Sequence, residues 1–319
     1  MEYVLETNGL SKSYGHSMVL NGLCMHVPKG SIYGFVGRNG AGKTTLIRLV
    51  CGLQSPTGGE YSIYGVKGPS KEIADSRRRM GAVVETPSIY LDMTAYENIE
   101  QQYKVLGMPS NHGIDKILHL VGLSGTGRKK ARNFSLGMRQ RLGIAVALAG
   151  NPDFLVLDEP VNGLDPQGIV EIRELILKLN RAHGITVLIS SHILDELSRL
   201  ATHYGFIEDG RMVREMSAQE IERICRKRTR LEVSDTKALP IVLDALGVEY
   251  RIVDNCKADV FGNVQVTQLV DSLSRKGCIV MNIRELDESL ESFYMNLVGN
   301  DGRTISGKVG NSNRGGCNA

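Results

Sequence analysis

Three groups of residues stand out for the chemistry their types and spacing allow. Gly37-Arg38-Asn39-Gly40-Ala41-Gly42-Lys43-Thr44-Thr45 fits the pattern G-x-x-x-x-G-K-[ST]. Glycines in such a loop let successive backbone N–H groups turn inward and wrap an anion. Gly37, Asn39, Gly40 and Gly42 would form the cradle, with Lys43 reaching the β- and γ-phosphates. The Thr44 hydroxyl would stand on Mg²⁺, with Thr45 beside it. The second group is Asp158-Glu159, two acids closing the apolar run Phe154 to Leu157. Asp158 suits a carboxylate that holds Mg²⁺, often through water, and Glu159 suits a base that deprotonates an attacking water. The third is His192, two residues past the apolar run Thr186 to Ser190, with a ring donor for a γ-phosphate.

These groups need a scaffold that gathers them at one edge. Ile32 to Val36 reads as a short buried strand before the loop. Leu46, Ile47, Leu49 and Val50 read as the apolar face of a helix after it, whose N-terminal dipole favours an anion. The runs at 154–159 and 186–190 are apolar on both faces, the mark of central strands in a parallel sheet covered by helices. Ile169, Ile172, Leu175, Ile176 and Leu179 recur at three- and four-residue spacing, an amphipathic crossover helix between those strands. The carboxyl ends of the three strands then share one edge, where ligands bind in open α/β sheets.

Upstream, Tyr3–Leu10 and Val19–Val27 read as strands joined by a turn at Lys12-Ser13-Tyr14-Gly15. Tyr14 either offers its ring to an adenine or simply packs. Glu60 to Tyr64 reads as a further strand, and Met80 to Glu85 as one that ends on a carboxylate. From Pro87 to about Gly150 the pattern turns helical, with glycine breaks. Residues 230–298 alternate as strand near Leu231, helix 238–246, strand 248–253, helix 264–276, strand 278–283 and helix 286–298, a small α+β domain without an evident catalytic group. Arg226-Lys227-Arg228 and Arg230 precede it, a basic cluster that fits a solvated linker or anionic lipid. The Gly-, Asn- and Ser-rich end from Gly299 is expected to be disordered.

Composition narrows the classes. With 38 basic and 35 acidic residues among 319, the net charge of +3 gives no argument for a nucleic-acid partner. The six cysteines are scattered without a C-x-x-C pair, which predicts reduced thiols, neither a disulfide framework nor a metal site. No signal peptide is visible, and the longest apolar stretch, 142–150, is far too short to span a bilayer, so a cytoplasmic chain is expected.

Taken together, the motifs resemble the ATP-binding subunit of an ABC transporter over roughly residues 1–216. Residues 37–45 match Walker A, 154–159 match Walker B with its glutamate, and Gly163-Leu164-Asp165 matches the D-loop. Ser135-Leu136-Gly137-Met138-Arg139 stands where the signature falls, Tyr14 where the adenine-stacking aromatic falls, and His192 where the switch histidine falls. The resemblance implies a P-loop α/β core over 1–86 and 151–216, mostly parallel with antiparallel N-terminal strands. It also implies a helical subdomain over 87–150, followed by an accessory domain over 217–298 and a tail over 299–319.

A head-to-tail dimer is implied too, in a homodimer or with a second ATP-binding subunit. ATP and Mg²⁺ would lie between Walker A of one subunit and Ser135 and Gly137 of the other, with Asp165 alongside. The signature departs from consensus at Leu136 and Met138 but keeps Ser135 and Gly137. Glu85 stands where the family usually has a glutamine contacting Mg²⁺ and the water. An ionised Glu there offers only acceptors and adds negative charge, which either tightens the metal or is simply tolerated. That substitution resembles the subgroup exporting lantibiotics and bacitracin-type peptides. The implied partners are integral-membrane permease subunits, met through Thr86 to Tyr96, with the chain peripheral on the inner membrane face. Export of another hydrophobic substrate, such as a drug or lipid, is the alternative. A soluble ABC ATPase of translation or repair fits less well, because each motif occurs once and no long coiled coil is inserted. A GTPase lacks support, since no N-K-x-D motif is present.

Overall fold

The structure, a computed structural model, describes residues 2–262, 265–286 and 289–299. Those residues divide into two compact units that meet in sequence at Ala218 and Gln219. The expected tail lies outside the described residues, apart from Gly299.

The first unit opens with two long antiparallel strands, β1 (Tyr3–Tyr14) and β2 (Ser17–Pro28), then β3 (Ile32–Val36) and α1 (Lys43–Val50). Strands β4 (Gly58–Ile63) and β5 (Val66–Gly68), helix α2 (Ile73–Arg78) and strand β6 (Met80–Val83) follow. The helical region holds α3 (Ala95–Leu106), α4 (Ile114–Leu120) and α5 (Leu136–Ala147). The chain then re-enters the core through β7 (Phe154–Asp158), α6 (Pro166–His183), β8 (Thr186–Ser191), α7 (Leu194–Ser198), β9 (His203–Glu208) and β10 (Arg211–Ser217).

One sheet, ordered β2-β1-β4-β5, is antiparallel, and a second runs β10-β9-β3-β8-β7-β6. In the second, β9, β3, β8, β7 and β6 are parallel and only β10 is reversed. Every residue of β3, β7 and β8 is buried, as the two-sided apolar runs predicted. Parallel register sets Asp158 opposite Ser190 and Val36 opposite Ser191. The ends of β3, β7 and β8 therefore meet at one edge. Leu46, Ile47, Leu49 and Val50 enter the core with Phe35, Val156 and Leu188, which fixes α1 beneath the sheet edge. Burial of that size stabilises by roughly 2 kcal/mol per large apolar side chain.

Caps account for where the helices begin and end. Asp165 accepts from the Gly168 N–H at 2.9 Å, Pro166 takes the first turn of α6, and Gly184 ends it left-handed. Ile172, Leu175, Ile176 and Leu179 are its buried face. A capping box between Thr94 and Glu97 starts α3.

Two local expectations are corrected. The first strand runs through Lys12 and Ser13 to Tyr14, and pairing of Tyr14 with Ser17 puts the turn at Gly15-His16. Strand β6 stops at Val83, so Glu85 lies beyond it, in a left-handed conformation (φ 59°).

Within the second unit, α8 (Ala218–Cys225) leads into β11 (Arg228–Val233), α9 (Leu239–Ala245), β12 (Glu249–Ile252), β13 (Lys257–Phe261), α10 (Val266–Arg275), β14 (Val280–Leu286) and α11 (Leu290–Gly299). The antiparallel order β12-β13-β11-β14 gives the β-α-β-β-α-β split arrangement. Its core packs Leu231, Val233, Leu243, Ala258, Val260 and Leu269 under α9 and α10. Strand β13 is the element missing from the sequence reading, and the last helix begins at Leu290 rather than 286.

Candidate active site

The phosphate loop leaves β3 at Gly37 and closes on α1. Gly42 precedes the helix at φ 108°, and a Cβ there would sit 2.7 Å from Leu20 Cδ2 and 3.0 Å from the Val19 carbonyl oxygen. Only glycine fits that backbone and that space. The first turn of α1 carries no acidic side chain, so its dipole and free N–H groups are left for an anion. Lys43 is buried, and its Nζ donates to the carbonyls of Gly37 at 2.6 Å and Arg38 at 3.2 Å. The ammonium is thus folded under the loop where phosphate oxygens would replace those carbonyls.

Glu159 is the hub of the acid cluster. Its Oε1 lies 3.4 Å from Lys43 Nζ and its Oε2 2.8 Å from His192 Nδ1. The backbone holds it at φ 48°, outside the region an ordinary residue adopts, and its N–H donates to Ser190 Oγ at 3.0 Å and the Ser190 carbonyl at 3.2 Å. Strain of this kind is commonly stored at functional positions.

Asp158 is fully buried, and Ser190 Oγ donates to its Oδ1 at 2.5 Å. Its Oδ2 is buried without a hydrogen-bond partner. An unpartnered buried carboxylate oxygen is costly, so its presence next to Glu159, which meets Lys43 of the phosphate loop, fits a hard cation that takes oxygen ligands. Ser190, absent from the sequence reading, holds both acids with one hydroxyl. Its signal was available: in a parallel sheet, the residue two before His192 falls beside the acid ending β7.

Ser135, Gly137 and Asp165 belong to a second group. Ser135 caps α5, its Oγ accepting from the Met138 N–H at 3.2 Å, and no acid occupies the first turn. Leu136 lies over Gly163, where a Cβ would be 3.5 Å from Leu136 Cδ2. Asp165 spends its carboxylate on the Gly168 cap. Among the described residues, no hydrogen bond or ion pair joins this group to Lys43 or Asp158. The helix N-terminus at Ser135 is an anion-binding end without an anion source in its own half of the molecule.

Two predicted residues are engaged otherwise than expected. Tyr14 is exposed, bonds through its hydroxyl to Gln54 beyond α1, and has Lys12 Nζ 5.2 Å from its ring centre. Glu85, expected beside the metal, instead meets Arg48 of α1, its Oε1 accepting from Nη2 at 2.6 Å. The pair borders a cleft of about 520 Å³ that includes Cys51, Leu53, Arg77, Met80 and Val84. Burial pushes the Cys51 thiol up to about 12, so it is an inert wall rather than a nucleophile.

Past the cleft, Pro87 packs where a Cβ on Gly143 would be only 2.6 Å from its Cβ, so the 84–90 segment leans directly on α5. Buried Asn98 braces the next stretch, with Oδ1 accepting from the Tyr90 N–H at 2.7 Å and Nδ2 donating to the Tyr90 and Thr94 carbonyls at 3.0 and 2.8 Å. Tyr90 and Leu91 are left exposed on it.

A phosphate loop capped by lysine, an acid with an open oxygen and a second acid poised by lysine and histidine define a P-loop nucleoside triphosphatase. The family model described as ABC transporter matches residues 20–162. The bacitracin transport ATP-binding protein BcrA of Enterococcus faecalis is 39% identical over 309 residues, covering 95% of this chain and 98% of that protein. The lantibiotic transport ATP-binding protein SrtF of Streptococcus pyogenes is 41% identical over 212 residues, covering 66% of this chain and 90% of that one. Among solved structures, a dimeric ATP-binding cassette, MJ0796, in a post-hydrolysis state bound to ADP and Pi matches with a TM-score of 0.61. It is 25% identical and covers 67% of this chain and 98% of that one. The chain belongs to the ABC transporter family, as one of its ATP-binding, ATP-hydrolysing subunits.

Proposed function

We propose that this chain powers the export of a peptide antibiotic of the bacitracin or lantibiotic type, protecting the cell that carries it. The observation that carries the reading is the Glu159 carboxylate, held between Lys43 and His192 in a chain that matches a bacitracin transport protein almost end to end. ATP lies on the 37–45 loop, its phosphates met by Gly37, Asn39, Gly40, Gly42, Lys43 and Thr45, with Tyr14 against the base. Thr44 and Asp158 would hold Mg²⁺, which when bound would neutralise charge on the phosphates. Glu159 takes a proton from the attacking water as the bond between the γ-phosphorus and the ADP oxygen breaks, releasing phosphate. His192, fixed by Glu159, stands as a donor toward the γ-phosphate.

The separation of Ser135, Gly137 and Asp165 from Lys43 supports a site completed in trans. A second copy then brings its α5 N-terminus to the γ-phosphate, and ATP holds the two together until hydrolysis. Residues 86–96, with exposed Tyr90 and Leu91, are the proposed contact for permease subunits, which place the chain on the inner face of the membrane. No helix among the described residues is long and apolar enough to cross a membrane, which fits a separate permease. The second unit, an accessory domain, is given no catalytic part.

The test is co-purification with membrane partners from the cell that carries it, then ATPase assay in proteoliposomes with bacitracin or a lantibiotic. Peptide-stimulated turnover, with loss of resistance on deletion, is expected. Turnover indifferent to either peptide, with resistance unchanged, would refute the substrate class.

A further inference from the structure

The Glu85–Arg48 pair joins the chain just past β6 to the helix that follows the phosphate loop, two parts that the sequence keeps far apart. Arg48 lies on α1, the helix whose first turn carries Lys43 and Thr44, and it is the basic residue of the last turn. Glu85 lies two residues past β6 at φ 59°, a conformation that costs a non-glycine residue of order 1 kcal/mol. The strained backbone and the 2.6 Å contact together set the carboxylate against the flank of α1. The other arginine of the cleft is committed elsewhere, its Nε donating to the Val50 carbonyl at 3.0 Å and its guanidinium meeting the Tyr61 hydroxyl.

We propose that Arg48 is a positioning residue for Glu85, holding its carboxylate on the side of α1 and keeping that charge away from the metal position at Thr44 and Asp158. The inference rests on the reading of Glu85 as a residue that can reach Mg²⁺. A third carboxylate there would attract the cation while repelling the phosphates and the two acids already present. Arg48 therefore sets how much of that charge the site receives. Both partners are substantially exposed, with side-chain exposures of 36% and 54%. A pair that open to water is worth about 0.2–1 kcal/mol, a factor of at most about five in an equilibrium. That weakness suits a reversible hold, one that a competing charge entering the cleft can release.

The test uses the full chain carrying Glu159→Gln, so that binding is read without turnover. Binding of a fluorescent ATP analogue is titrated with Mg²⁺. Adding Arg48→Gln should lower the half-saturating Mg²⁺ about two- to fivefold, and Arg48→Lys should fall between. With Glu85→Gln already present, Arg48→Gln should add nothing measurable, because the group it positions has lost its charge. An equal shift in both backgrounds would show that Arg48 acts through α1 alone and would overturn the proposal. So would no shift from Arg48→Gln while Glu85→Gln alone changes the Mg²⁺ dependence, which leaves the metal role standing. If neither variant moves it, the metal role falls as well. Matching thermal unfolding of the variants confirms that the fold is intact.

Discussion

Glu159 Oε2 lies 2.8 Å from His192 Nδ1, and that contact fixes the orientation of the two groups proposed as the base and the γ-phosphate donor. In the proposed reaction the acid accepts a proton, whereas the histidine donates a hydrogen bond. Their bond orients the ring so that one nitrogen faces Glu159 and the other is left for the phosphate. Replacing His192 by Ala should therefore lower kcat by about 10²–10³-fold with ATP binding retained, as expected on removing one transition-state donor. Steady-state ATPase assay with equilibrium nucleotide binding separates the two effects. Loss of binding with kcat preserved would contradict the assignment.

Ser190 gives a second prediction. One buried hydroxyl donates to Asp158 Oδ1 and accepts from the Glu159 N–H. Ser190→Ala leaves Asp158 Oδ1 without its donor in a buried setting and takes from the Glu159 N–H one of its two acceptors, the Ser190 carbonyl remaining, which costs about 1–3 kcal/mol of stability. The expected result is a clear fall in Tm together with a weaker response to Mg²⁺, since Asp158 loses the partner that orients it. A variant with unchanged Tm and unchanged Mg²⁺ dependence would remove Ser190 from the site.

A pH effect follows from the contact between β2 and β10. His26 Nδ1 is 2.8 Å from Glu215 Oε2, the His26 backbone N–H donates to Glu215 Oε1 at 2.8 Å, and the buried Tyr33 hydroxyl donates to that same oxygen at 2.5 Å. The hydrogen bond to Glu215 raises the His26 pKa above 6.5, with the charges of Glu215 and Glu6 adding to it against the opposing effect of burial. The folded state therefore holds the proton more tightly than the unfolded chain. The stabilisation is complete below about pH 6.5 and is lost as pH rises through the folded pKa. With His26 partly exposed, the effect is at most about 1 kcal/mol. Thermal unfolding of wild type and His26→Gln should differ most below pH 6.5 and converge above the raised pKa. A gap that widens with rising pH would contradict the linkage.

In the second unit, Asp259 of β13 is fully buried beside three arginines. Arg230 reaches it at 2.7 and 2.9 Å, Arg251 at 3.1 Å and Arg228 at 3.5 Å. Burial alone would raise its pKa, but the hydrogen bonds from Arg230 and Arg251 hold it below the usual carboxylate value. Its contribution is thus present above about pH 4 and is lost as pH falls through the depressed folded pKa. Asp259→Asn should destabilise this unit by about 2–3 kcal/mol, below the full cost of a broken buried pair because the arginines keep some water. Chemical unfolding of the full chain, followed by hydrogen exchange in β11 and β13, reads the effect. Unchanged protection in those strands would contradict it.

The catalytic edge was legible because its parts carry distinctive patterns. A glycine-lysine loop, an acid pair after four apolar residues and a histidine after a buried strand each have few other uses. Ser190 was not, because serine is common and its role appears only when parallel register sets it beside Asp158. The partner of Glu85 was hidden for a similar reason: Arg48 is remote in sequence, and the departure from a strand path comes from a left-handed residue that no motif announces. Strand β13 was missed because it is short and carries a buried charge, Asp259, in its middle. Its alternation becomes visible only once the arginines of β11 and β12 are known to face it.

The central claim, that Glu159 is the base of a site completed by a second copy, is tested most directly on the full chain carrying Glu159→Gln. Sedimentation with and without MgATP, read beside single-turnover hydrolysis, gives both halves of the answer. The account predicts an ATP-dependent dimer that retains unhydrolysed nucleotide, with turnover reduced about a hundredfold or more. A variant that stays monomeric with ATP bound, or that hydrolyses it at the wild-type rate, would contradict the account.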